Sequence, residues 1–248
     1  MIILSPSWKR GDICNSHNYF KDLKYVVCES QVEGYEKYDL PILKCPDSAQ
    51  GNVSRVRNWI LDYAKDEDLL IVDDDLKSLG RYEGNNLHKM ESEEASDFIE
   101  YGFDLAKEFG VKMWGLNIIQ DKGAYREYTP FSLKNVILGP FGGFLNCDIR
   151  YDEELPLKED YDFSLQCLNK YRKILRINFV HYNCDQHTNL GGCAEYRTVQ
   201  AEQDQFVALR KKWGKDIVKQ DDNKRVTNRK RQVSYDINPI VKVPIGGV

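Results

Sequence analysis

The sequence predicts an α/β domain with a mainly parallel sheet between helices, and two observations carry that prediction. Short apolar runs at 2–5, 23–30, 69–72, 111–119 and 174–180 alternate with segments of helical periodicity, the order of strand–helix–strand units. The first three runs are apolar throughout rather than every second residue, as strands covered on both faces must be. With 248 residues, of which 42% are apolar and 12% aromatic, the chain can bury one large core with a small appendage.

Taken in order, "IILS" (2–5) is the first strand and ends in Ser-Pro-Ser. "LKYVVCES" (23–30) is the second and reaches Glu29. A helix follows over 53–64, with Val56, Ile60 and Ala64 spaced four apart. "LLIV" (69–72) is the third strand. A second helix spans 92–109, with Ser92 as its cap, two Glu in its first turn and Gly110 as its stop. "VKMWGLNII" (111–119) is a fourth strand, and "NVIL" (135–138) and "GGFLN" (142–146) read as two short strands around a Gly-Pro turn. Helices over 159–171 and 198–213 flank the late strand "ILRINFV" (174–180). Residues 1–214 form the expected domain and 215–248 a basic C-terminal extension. No internal repeat is visible.

A formal net charge of −4 provides no global field for nucleic acid or membrane, so any polyanion contact must be local. No apolar run approaches the roughly 20 residues of a membrane helix, so no membrane partner is expected. The start, "MIILSPSWKR", lacks the basic region and long apolar run of a signal peptide. Seven cysteines without paired spacing read as mostly reduced thiols in a cytoplasmic compartment.

"LLIVDDDL" places Asp73, Asp74 and Asp75 directly after an apolar strand. Three adjacent carboxylates repel, so a cation belongs among them. In open α/β sheets ligands bind beyond the carboxyl ends of strands. Alternation in an extended segment would set Asp73 and Asp75 on one side and Asp74 on the other. Such a pair of hard oxygen donors suits Mg²⁺ or Mn²⁺, which could carry a diphosphate. A solvated turn with one capping Asp is the structural alternative.

Ser-Pro-Ser after strand one, the acid ending strand two, the helix "GNVSRVRNWIL" and "LLIVDDDL" together resemble a GT-A-fold glycosyltransferase. The family most resembled is the phage glycosyltransferases associated with TET/JBP-like dioxygenases, and the likeness covers roughly residues 1–190. It implies a nucleoside-diphosphate sugar donor, with UDP-sugar first, and a hydroxymethylated pyrimidine in phage DNA as acceptor, in the host cytoplasm. Position by position it implies Ser5 and Ser7 beside the nucleotide and Glu29 on the base or ribose. Arg55 and Asn58, or Arg57, would face the sugar and diphosphate. Arginine suits this because its planar fork grips phosphate oxygens in two-point contact, and 55 and 58 share a helix face while 57 is turned away from it. Asp73 belongs to this donor set too. Gly142 and Gly143 of "GPFGGFLN" would line the sugars, with a plain hairpin turn as the alternative.

In "LKEDYDFSL" the acids open a helix, where its dipole favours them. The resemblance gives a second role, in which Asp160 or Glu159 acts as general base on the acceptor hydroxyl, with Asp160 preferred. His187, beside "TNLGG", would complete the metal site of Asp73 and Asp75; a surface histidine is the alternative. Cys184, His187 and Cys193 match no zinc spacing. Lys224, Arg225, Arg229, Lys230 and Arg231 form a local basic stretch that could track a nucleic-acid backbone or be merely solvated. Two rival readings are a nucleotidyltransferase using the same carboxylates and a non-catalytic DNA- or sugar-binding module.

Overall fold

Strand β1 (Ile2–Pro6) sits inside a ten-stranded sheet in the computed structural model, which describes residues 1–84, 86–118, 128–184, 192–220 and 238–245. Its parallel half comprises β1, β2 (Leu23–Cys28), β3 (Ile42–Cys45) and β4 (Asp68–Val72), in the order β3-β2-β1-β4. The helices α1 (Glu33–Glu36) and α2 (Val53–Tyr63) lie between these strands in the chain. A hairpin of β5 (Leu76–Glu83) and β6 (Asn86–Lys89) leads to α3 (Ser92–Glu108) and β7 (Met113–Asn117). Then come β8 (Phe131–Ser132), β9 (Phe141–Leu145), α4 (Glu159–Tyr171) and β10 (Leu175–Cys184). β9 runs antiparallel between β4 and β7, and β10 continues the sheet parallel to β7 and antiparallel to β5. The sheet is mixed and mostly parallel in strand direction, flanked by helices, as predicted.

Strand residues alternate between two cores, which explains their unbroken apolar runs. Ile3, Leu70 and Val72 face α3, while Leu4, Leu69 and Ile71 face α2 and α4. Ile60 and Leu61 of α2 are fully or almost fully buried, each contributing about 1.5–3 kcal/mol over an exposed side chain.

Several local expectations are corrected. The hairpin β5–β6 was not legible because polar residues break its apolar pattern. Residues 135–138 form no strand; Ser164 Oγ donates to Ile137 O at 2.9 Å and accepts from Ile137 N at 3.0 Å, pinning that segment to α4. The cap of α3 is Glu91 rather than Ser92, whose hydroxyl donates to Tyr19 O instead. Gly110, at φ +59°, does stop that helix.

The glycines of β9 have a packing purpose. A Cβ on Gly143 would lie 2.0 Å from Nε1 of the fully buried Trp114. Gly143→Ala is expected to cost about 1–3 kcal/mol through overpacking. Thermal denaturation checks this; an unchanged Tm would mean the strand yields freely.

Helix α5 (Val199–Trp213) is followed by β11 (Val218–Lys219), which pairs antiparallel with β12 (Ile240–Val241). Val218 is fully buried among Tyr161, Leu165, Phe206 and Leu209, and Val243 packs against the same cluster. Residues 215–220 and 238–245 thus lie on the body of the domain. Lys224, Arg225, Arg229, Lys230 and Arg231 lie outside the described residues. Among the described residues, no helix is long and apolar enough to cross a membrane.

Candidate active site

The carboxyl ends of β1, β2, β4 and β10 open on one cleft of about 580 Å³. The N-terminal ends of α2 and α4 and the Gly139–Pro140 turn complete its walls. Both helices thus turn their positive dipole ends to the same space, with leading N–H groups already taken by side chains, Arg55 N by Asn52 Oδ1 and Tyr161 N by Asp160 Oδ1.

Asp73, Asp74 and Asp75 leave β4 as a turn rather than an extended segment, so the expected alternation does not hold. Asp74 and Asp75 are both buried, Asp74 the more deeply. Asp74 Oδ2 accepts from Ser7 Oγ at 2.6 Å and its Oδ1 from Arg10 Nη1 at 2.9 Å. Burial pushes its carboxyl above the ordinary range, against the pull of Arg10. The same Arg10 Nη1 lies 3.5 Å from Asp75 Oδ2. Asp73 remains 36% exposed at its side chain, and its Oδ1 accepts from Arg57 Nη2 at 3.1 Å.

Arg57 is a buried fork. Its other arm, Nη1, donates to Glu159 Oε1 at 2.9 Å, and its guanidinium lies over the Tyr151 ring. It therefore ties the turn after β4 to the first residue of α4. Burial, with the neighbouring charge of Asp160, pushes the Glu159 carboxyl up to about 7, while Arg57 opposes the shift. Asp160 opens onto the cleft beside Gly139; its Oδ2 accepts from Gly139 N at 3.0 Å and its Oδ1 from Tyr161 N at 2.8 Å. Pro140 O accepts from Asp73 N at 3.0 Å, so one turn fixes both Asp160 and Asp73.

Of the sequence-predicted residues, Ser7, Arg57, Asp73, Asp75, Glu159 and Asp160 all line this cleft. Three placements are corrected. Ser5 is fully buried inside β1, away from the cleft. Arg55 and Asn58 do share a helix face, but that face is turned to the loop 151–153: Arg55 Nε donates to Glu153 Oε2 at 2.9 Å, and Asn58 exchanges hydrogen bonds with the backbone of Tyr151. Arg57 is the inward residue. Gly142 and Gly143 belong to the sheet interior. Glu29 is exposed one residue beyond Cys28, which does line the cleft. His187 lies outside the described residues.

Sequence reasoning missed Trp8, Arg10, Arg197 and Glu202. All four line the cleft. Glu202 holds a buried ion pair with Lys158 and a second contact, at 3.1 Å, with Arg197 Nε. Apart from the Ser-Pro-Ser stretch that precedes Trp8 and Arg10, no local pattern marked them.

Among the described residues, no group of three or more His, Cys, Asp or Glu side chains is arranged to hold a metal ion. Asp73 and Asp75 alone still suit a hard divalent cation of the Mg²⁺ kind, which commonly uses one or two carboxylates and completes its shell with water and phosphate oxygens. All seven cysteines are free thiols.

The fold is similar to that of S. aureus TarS 1-349, with a TM-score of 0.50 and 15% identity over 84% of this chain. The chain spans 65% of the length of that one. It is also similar to a mycobacterial protein, with a TM-score of 0.52 and 11% identity over 88% of this chain and 77% of the other. At such identities the likeness is one of fold alone, a mixed, mostly parallel sheet flanked by helices. No protein-family model and no curated protein matches the sequence.

Proposed function

We propose that this protein is a glycosyltransferase that moves a sugar from a nucleoside-diphosphate sugar to a hydroxyl acceptor. The observation that carries the reading is the convergence, at the carboxyl edge of a GT-A-like sheet, of the Asp73–Asp75 turn and the Glu159–Asp160 pair on one cleft. The shared fold with TarS, a staphylococcal glycosyltransferase, supports the same class.

In this reading Asp73 and Asp75 hold Mn²⁺ or Mg²⁺. Bound there, the ion would neutralise charge building on the leaving diphosphate. Ser7 keeps Asp74 fixed and so shapes the turn. Arg57 positions Asp73 and Glu159 together. Both acids line the cleft, and Asp160 is the general base because Glu159 is committed to the buried Arg57. It takes the acceptor proton as the hydroxyl oxygen attacks the sugar carbon and the diphosphate departs.

The acceptor proposed is a hydroxymethylated pyrimidine in DNA, supported by the sequence resemblance and by the basic stretch at 224–231. Such a base would have to be flipped out or single-stranded to reach the cleft. The test is incubation with Mn²⁺ and a panel of nucleotide sugars, with and without hydroxymethylated DNA, measuring released nucleoside diphosphate. Release should require the ion, rise with the right acceptor, and fall at least about tenfold in Asp75→Asn, the loss of a charge-assisted ligand. No binding and no release with any donor would overturn the reading.

A further inference from the structure

The acidic turn after β4 already holds a cation that the chain brings itself. Arg10 follows β1 by four residues and reaches across to the turn after β4. Its Nη1 lies 2.9 Å from Asp74 Oδ1 and 3.5 Å from Asp75 Oδ2. The Asp74 contact is the anchored one, since that carboxylate is nearly inaccessible and its second oxygen is taken by Ser7. Arg10 is held from behind as well. Its backbone N–H donates to Tyr35 Oη at 3.1 Å, and a Cβ on Gly192 would lie 3.1 Å from its Cζ. The guanidinium is therefore fixed on Asp74 and overhangs Asp75 at the looser distance.

A fixed guanidinium beside a carboxylate opposes a second cation there. Two like charges a few ångströms apart repel, and the more so where protein replaces water around them. The turn is thus already partly neutralised before any ion arrives. We propose that Arg10 is a positioning residue that holds the free protein's affinity for divalent cations low, so that an ion enters Asp73 and Asp75 effectively only together with a diphosphate, whose own charge offsets Arg10. This rests on the metal-binding role proposed for Asp73 and Asp75. It gives the arginine a role that a merely structural ion pair would lack: removing it should strengthen, not weaken, binding of the bare ion.

The experiment is calorimetric titration of the full chain with Mn²⁺, alone and with saturating UDP. The wild type should bind Mn²⁺ weakly alone and at least about tenfold more tightly with UDP, a coupling of ordinary size. Arg10→Gln should bind Mn²⁺ alone about tenfold more tightly than the wild type and show reduced coupling to UDP. Because Arg10→Gln leaves Asp74 buried without its cation, the same exchange is also read in a background that lacks that charge: Arg10→Gln/Asp74→Asn should bind Mn²⁺ about tenfold more tightly than Asp74→Asn alone. Arg10→Lys keeps the charge and should retain weak binding. A folded Arg10→Gln/Asp74→Asn whose Mn²⁺ affinity equals or falls below that of Asp74→Asn, in a protein whose wild type does bind, would overturn the role of Arg10 and leave the metal site standing. Absence of Mn²⁺ binding in every variant, with UDP present, would remove the metal site itself, and the inference with it.

Discussion

Replacing Asp160 by Asn is expected to lower turnover by roughly 10²–10⁴-fold, the usual contribution of a positioned general base, while donor binding stays within about twofold of the wild type. The exchange keeps side-chain shape, and the new Oδ1 can still accept one of the two backbone N–H groups, Gly139 N or Tyr161 N, that hold the carboxylate now. What it removes is the ability to take a proton. Glu159→Gln offers the contrast. Glu159 is 12% exposed and already gives an oxygen to Arg57, so its replacement disturbs a buried ion pair and should show first in stability. Initial rates at saturating donor, with the Kd for nucleoside diphosphate measured separately, discriminate the two. Full turnover in Asp160→Asn with lost turnover in Glu159→Gln would move the base to Glu159.

The contrast also shows what could be read from the chain alone. The start of α4 at Glu159 and the stop of α3 at Gly110 were legible because caps, dipoles and glycine conformations act over a few residues. The apolar strands were legible because two helical layers demand apolar residues on both faces. Which face of α2 meets the cleft was not, since the choice is made by Tyr151 and Glu153, more than 90 residues away. The same holds for Gly143, whose lack of a side chain answers to the ring of Trp114 and not to a ligand. Arg10 was invisible for a related reason. Its meaning depends on Asp74, 64 positions later, and on a turn that the extended-strand assumption had straightened. Local order was therefore recoverable, and the polar contacts between distant segments were not.

Those long-range contacts set the second large effect. Arg57→Met should destabilise the protein by about 3–5 kcal/mol, because it leaves buried carboxylate charge without its partner. Arg57 is 7% exposed at its side chain and is shared by Asp73 and Glu159. The loss should depend on pH. Burial raises the Glu159 carboxyl from an ordinary 4.5 to about 7, so between those values the folded state binds more protons than the unfolded one. Stability contributed by this group therefore falls as pH rises through that window. Without Arg57 the one favourable charge contact of Glu159 with that side chain is gone, the folded value moves higher, and stability keeps falling above pH 7. The difference in stability between the wild type and Arg57→Met should then be larger at pH 8 than at pH 5, measured by denaturant unfolding. The double variant Arg57→Met/Glu159→Gln removes both buried charges and should recover part of the loss and most of the pH dependence, a coupling that a double-mutant cycle reads directly. A single variant as stable as the wild type at both pH values, or a double variant no better than the single, would show that the link between the β4 turn and α4 is not held by this arginine.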